Sequence, residues 1–134
     1  MGNGEKYKRN MCCLDKWLSN HEQKKRIGDY LDSCHIHRVG IYGYGMLGRH
    51  LVRDLQGQGI PIGWVMDRAA LGDDVYSNPV RPDALDKPED VDLAVITTLA
   101  DVEEAEAVLM RFVTGRIISL EELVECIYVW GNQN

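Results

Sequence analysis

Apolar positions along this chain alternate between two periods. Val39, Ile41 and Tyr42 make a short buried run of strand length, and Met46, Leu47, Leu51, Val52 and Leu55 then recur at helical spacing. That helix is expected to end near Gln56, with Gly57 or Gly59 as its stop. Ile60–Met66 reads as a second strand, with Pro61 tolerated near its start, where no ladder donor is needed. Val91–Thr97 is another buried strand, and Asp101 is placed to cap a helix that turns Val102, Ala105, Val108, Leu109 and Phe112 inward. Gly115 closes the connection to a final strand, Arg116–Ser119. Ser119 then caps a last helix, Leu120–Cys126, with Glu122 at its third position. Ile127–Trp130 fits either a tail strand or the end of that helix.

Two regions break this rhythm. Residues 71–90 are polar and irregular, and a structureless loop of that length is uncommon in a compact domain. The pattern therefore predicts a short edge strand around Pro79–Arg81 and one helical turn around Asp83–Asp86. Upstream, Met11, Leu14, Trp17 and Leu18 share a helical face. Asn20 and Gln23 have capping-box spacing before the stripe Ile27, Tyr30 and Leu31. Two helices over 11–19 and 22–33 follow, with residues 1–10 disordered or loosely attached. This extension reads as a cap over one end of the domain or as a surface for a second copy or a partner enzyme; Trp17 would serve either.

Strands that alternate with helices imply a parallel sheet with right-handed crossovers. The expected fold is α/β: a doubly wound, Rossmann-like sheet of about five strands, order 3-2-1-4-5, with an N-terminal helical extension. Residues 1–35 form the tail and extension, and 36–134 the nucleotide-binding domain.

The candidate chemistry lies between the first strand and its helix. Gly43, Gly45 and Gly48 have the G-x-G-x-x-G spacing of a dinucleotide-binding turn, with Tyr44, Met46 and Leu47 between them. Gly43 allows the sharp exit from the strand, Gly45 lets a pyrophosphate approach the backbone, and Gly48 lets the helix pack on the sheet. The helix N-terminus then offers N–H groups and partial positive charge to phosphate. Asp67 lies 24 residues after Gly43, where an acid at the end of the second strand would bind an adenosine ribose. Asp67 favours NAD over NADP by repelling a 2′-phosphate, while Arg68 is placed to stack on adenine or contact phosphate. Thr97 and Thr98 end a strand at the sheet edge where ligands bind in such folds; their hydroxyls either meet the ligand or cap the loop.

Composition narrows the field further. The 134 residues suffice for one core, too few for a nucleotide domain plus a full substrate domain. A net charge of −6 argues against a nucleic-acid partner. No apolar run approaches the roughly 20 residues of a membrane span. The polar start lacks a secretory apolar segment, and Lys6 stands where a myristoylation motif needs Ser or Thr. Cys12, Cys13, Cys34 and Cys126 form no C-x-x-C pair and read as reduced core-facing or boundary residues of a cytoplasmic protein. Cys34, His35 and His37 find no further ligand set, so no metal site is expected. There is no Tyr-x-x-x-Lys pair and no other acid/base set, so no catalytic residue is assigned.

From about Trp17 to Val124 the chain resembles small bacterial NAD(P)-binding, Rossmann-like domains associated with nucleotide-sugar and surface-polysaccharide biosynthesis. The resemblance rests on Trp17-Leu18, Ile27–Leu31, Ile41–Gly48, Val65–Arg68, Pro79–Pro82, Val91–Thr97 and Ile117–Leu123. The layout also looks like the N-terminal domain of nucleotide-sugar dehydratases and sugar acyltransferases. It implies a stand-alone module that binds NAD(H), or less readily NADP or a nucleotide sugar, at Gly43, Gly45, Gly48 and Asp67. It carries over no catalysis, because the catalytic domain of those enzymes has no counterpart here. The chain departs from the family at Met46, where members often have a small or acidic residue. The alternatives are a small oxidoreductase or sugar-nucleotide-modifying subunit whose site a second chain completes, and an interaction domain that binds no ligand.

Overall fold

The computed structural model describes residues 3–69, 79–84 and 87–132. Helices α1 (Asn3–Glu22) and α2 (Ile27–Ser33) precede strand β1 (Val39–Tyr42). Then come α3 (Met46–Gly57), β2 (Ile62–Met66), a single 3-10 turn (Pro82–Ala84), β3 (Leu93–Ile96), α4 (Val102–Leu109), β4 (Arg116–Ser119) and α5 (Leu120–Asn132). All strand pairs are parallel and the sheet order is β2-β1-β3-β4.

The strands pack by alternation. Val39 and Ile41 of β1, Val65 of β2, and Leu93 and Val95 of β3 face a core shared with α1, α2, α3 and α5. Tyr42, Trp64, Met66, Ala94 and Ile96 point the other way, onto Ala105 and Leu109 of α4. Helices therefore cover both faces: α3, which follows β1, lies on one, and α4, which follows β3, on the other. The result is an α/β sheet broadly of the Rossmann type.

Among the described residues the sheet has four strands, not about five, and the order 3-2-1-4-5 does not form. The segment expected as an edge strand contributes one isolated parallel bridge, Met66 to Val80, held by Val80 N–H to Val65 O and Asp67 N–H to Val80 O. Pro82, the next residue in ladder register after Val80, has no N–H to donate, so the pairing does not continue past it. The turn expected at Asp83–Asp86 is the 3-10 turn Pro82–Ala84; residues 85 and 86, like 70–78 of the irregular region, lie outside the described residues.

The N-terminal expectations also change. α1 is one helix from Asn3 to Glu22, so 3–10 are helical where disorder was expected. Asn20 does not cap a second helix: it lies inside α1, buried, and donates its Nδ2 to Val124 O of α5 at 3.1 Å. The break comes at residues 23–26, where Lys24 takes a left-handed φ of 60°. Arg9 holds α1 to α5 through two bonds to Glu121, at 3.0 and 3.1 Å, and Lys16 pairs with Glu125. Trp17 is buried in the chain's own core, its indole N–H donated to Asp54 Oδ2 of α3 at 3.0 Å. The other Asp54 oxygen accepts from Gln58, whose amide oxygen accepts the Gly28 N–H of α2 at 2.6 Å. α1 and α2 are thus stitched to α3 and α5. Of the two adjacent cysteines, Cys13 is buried as expected and Cys12 is exposed.

Helix ends follow local chemistry. α3 stops in a Schellman arrangement: Gly59 takes φ 72° and donates to Gln56 O, and Ile60 donates to Leu55 O. Ser119 Oγ accepts the Glu122 N–H at 3.1 Å and starts α5, which continues through Ile127–Trp130 as helix. Asp101 occupies the cap position of α4 without a side-chain capping bond. Among the described residues, no helix is long and apolar enough to cross a membrane.

Candidate functional site

β1 delivers the glycine turn to the carboxyl edge of the sheet, between β2 and β3. This is the switch point of the topology, since α3 and α4 leave on opposite faces, and open α/β sheets bind ligands in such a crevice. Gly43 donates its N–H to Met66 O at 2.7 Å and takes φ 102°, a region that favours glycine. Gly48 lies so close to the turn that a Cβ there would sit 2.0 Å from the Gly43 carbonyl oxygen. Both glycines are therefore required by the protein's own packing.

Gly45 is different. It has an extended backbone, φ −81° and ψ −155°, and a Cβ built on it would meet nothing within 4 Å. It occupies the cap position of α3 and brings no capping side chain. The first N–H groups of α3 have no partner inside the helix, and the space where a Gly45 side chain would lie is open.

Two side chains fix the turn. Asp67 Oδ2 accepts the Tyr44 N–H at 2.6 Å, and its Oδ1 accepts the Ala69 N–H at 2.8 Å. Thr97 is buried and its hydroxyl lies 2.9 Å from the Gly43 carbonyl and 3.1 Å from that of Tyr42. Thr97 therefore uses its hydroxyl within the turn. Thr98 does not: its Oγ1 is buried and finds no hydrogen-bond partner among the described residues.

Two crevices flank the turn and share Thr98 and Asp101. The first, about 400 Å³, lies over Gly43 between Asp67, Arg68 and Glu104. Its charged lining is mainly acidic, with Asp67, Asp101 and Glu104 against Arg68; Arg68 reaches across to Glu104 at 3.2 Å, an exposed pair that adds little stability. Burial holds the Tyr42 hydroxyl beneath it above the usual tyrosine range. The second, about 480 Å³, is bounded by Gly45–Gly48, the loop after β3, and the first turns of α1. Both are in the size range of small-molecule sites.

The expected residues mostly come together. Gly43, Asp67, Arg68 and Thr98 line the first crevice, and Gly45, Met46, Leu47, Gly48, Thr97 and Thr98 the second. Tyr44 is the exception: its side chain is fully buried in the core, with the Arg49 guanidinium 5.4 Å from its ring centroid. Only its backbone belongs to the turn. The sequence reading does not single out Lys6, Asn10 or Glu104 as site walls; residues 1–10 are expected there to be loose. A signal was present: Lys6, Asn10, Cys13, Trp17 and Asn20 recur every three or four residues and make one helical stripe. Comparison with protein-family models, with curated proteins and with solved structures gives no match to this chain.

Proposed function

We propose that this chain is a nucleotide-binding module, with NAD(H) as its foremost ligand. In this reading the diphosphate lies over Gly45 against the N-terminus of α3, and the adenosine ribose turns toward Asp67. The observation that carries the reading is the open space at Gly45. Gly43 and Gly48 answer to internal packing, whereas the missing side chain at Gly45 makes room for nothing among the described residues. A bare backbone beside free helix N–H groups suits a phosphate. The acidic lining of the first crevice favours a ribose diol over a 2′-phosphate, hence NAD over NADP. Nucleotide sugars are the second ligand class, since they share the diphosphate. The role is binding, acting with a sugar-modifying partner; no catalytic step is assigned.

Titration calorimetry of the full chain with NAD⁺, NADH, NADP⁺ and UDP-glucose tests the reading. NAD⁺ or NADH is expected to bind more tightly than NADP⁺, and Gly45→Val to abolish binding. A ligand at 100 times its Kd should also raise stability by about 2.7 kcal/mol. Absence of binding by every nucleotide, or unchanged affinity in Gly45→Val, would overturn it.

A further inference from the structure

The stripe of α1 that faces the body changes character along its length. Cys13, Trp17 and Asn20 are 4%, 5% and 2% exposed. One and two turns earlier the same stripe carries Asn10 and Lys6, and there it passes over the second crevice rather than over the core. Lys6 is exposed and, among the described residues, has no ion pair. Beside these two, Tyr7 and Met11 leave 64% and 68% of their surface exposed, and Met46 across the crevice leaves 52%. Packing among the described residues accounts for none of these exposed side chains. A cation, an amide and three large apolar groups thus meet around the bare backbone at Gly45 and the unpartnered Thr98 hydroxyl.

We propose that the first two turns of α1 are a wall of the ligand site: Lys6 faces the phosphate held at Gly45–Gly48, and Tyr7 and Met11 cover the nonpolar part of the group beyond it. The inference rests on the nucleotide reading above and adds to it a ligand-binding role for the helix. α1 is then more than a cap, and the ligand is a phosphate ester with a nonpolar group on the α1 side of its phosphate. Lys6 supplies positive charge where the turn supplies only N–H dipoles, and a charged donor strengthens each phosphate bond.

Binding of NAD⁺, ADP and adenosine to the full-length protein tests this, with Lys6→Gln, Lys6→Arg and the double variant Tyr7→Ala/Met11→Ala. Lys6→Gln should weaken NAD⁺ and ADP by about tenfold and leave adenosine unchanged. Lys6→Arg should restore the loss, and the deficit should shrink at high salt. The double variant should weaken NAD⁺ while sparing ADP. If Gly45→Val loses NAD⁺ but Lys6→Gln and the double variant keep wild-type affinity, the inference is overturned and the nucleotide reading stands. If the wild type binds neither these probes nor UDP-glucose, both are overturned. Thermal melts of each variant separate lost binding from lost fold.

Discussion

Asp67 accepts N–H groups from both sides of the crevice edge, Tyr44 on the turn and Ala69 beyond β2. A residue expected from spacing to meet a ribose therefore also sets the shape of the turn. The two glycines that follow separate by their surroundings. Gly48→Ala drives a methyl group into the Gly43 carbonyl and should cost about 3 kcal/mol, the upper part of the range for overpacking. Gly45→Ala meets open space at an ordinary φ and should cost no more than about 1 kcal/mol, mostly through a poorer cap. Chemical denaturation of the two variants checks the contrast, and equal losses would contradict it. This division was not legible in the sequence. The G-x-G-x-x-G spacing marks the turn, but which glycine is packed depends on how the turn folds: Gly48 abuts the Gly43 carbonyl, and Gly43 in turn meets Thr97 and Thr98 from the distant end of β3. Asp92 is a second such residue: its Oδ2 accepts the N–H groups of His37 and Arg38 at 2.8 and 3.1 Å, tying the start of β1 to the start of β3. These bonds hold the Asp92 carboxyl below its usual range. A depressed carboxyl stabilises the fold above its unfolded-state value of 3.8, and that contribution fades as pH falls through the lower folded value. Asp92→Asn should accordingly melt below the wild type at neutral pH, with the gap closing at acid pH. A constant gap across that range would count against the assignment.

Among the elements, those whose pattern is local were the most readable. β1, α3, β2, β3 and β4 fall where the pattern places them, because strand alternation and helical stripes are short-range signals; α4 starts after Asp101 as expected but without its side-chain cap, and it ends at Leu109, short of Phe112. Ser119 starts α5 as its hydroxyl chemistry suggests, and Gly59 stops α3. The edge strand failed for a local reason too, since Pro82 stands in its ladder register. α1 failed for a distant one. Its first half is polar, and what holds it there is Arg9 on Glu121, a contact spanning 112 residues. Such pairs leave no local trace. The stitching of α1 to α3 through Trp17, Asp54 and Gln58 predicts that Trp17→Ala destabilises the whole protein by about 3–5 kcal/mol, as truncation of a buried aromatic does. Denaturant unfolding followed by circular dichroism should show one transition moved to lower denaturant. A variant that lost only α1, with the sheet's unfolding unmoved, would show that the helix is an independent appendage.

At the scale of the molecule, the fold places one bare backbone position at a switch point and surrounds it with unlike walls. The Asp67 side is acidic and polar; the α1 side carries Lys6 and exposed apolar groups. The proposed ligand, elongated with a diphosphate at its middle, would lie across both walls. The turn and the acid are legible in the sequence, and so is the stripe that carries Lys6 and Asn10; where that stripe comes to lie depends on how α1 folds back onto α3 and α5, which no local pattern records. Amide chemical shifts of the ¹⁵N-labelled protein during titration with NAD⁺ test the central claim most directly. The account predicts saturable shifts centred on Gly45, Met46, Leu47 and Thr98, and their loss in Gly45→Val. Saturable shifts confined to another surface, or none at all, would contradict it.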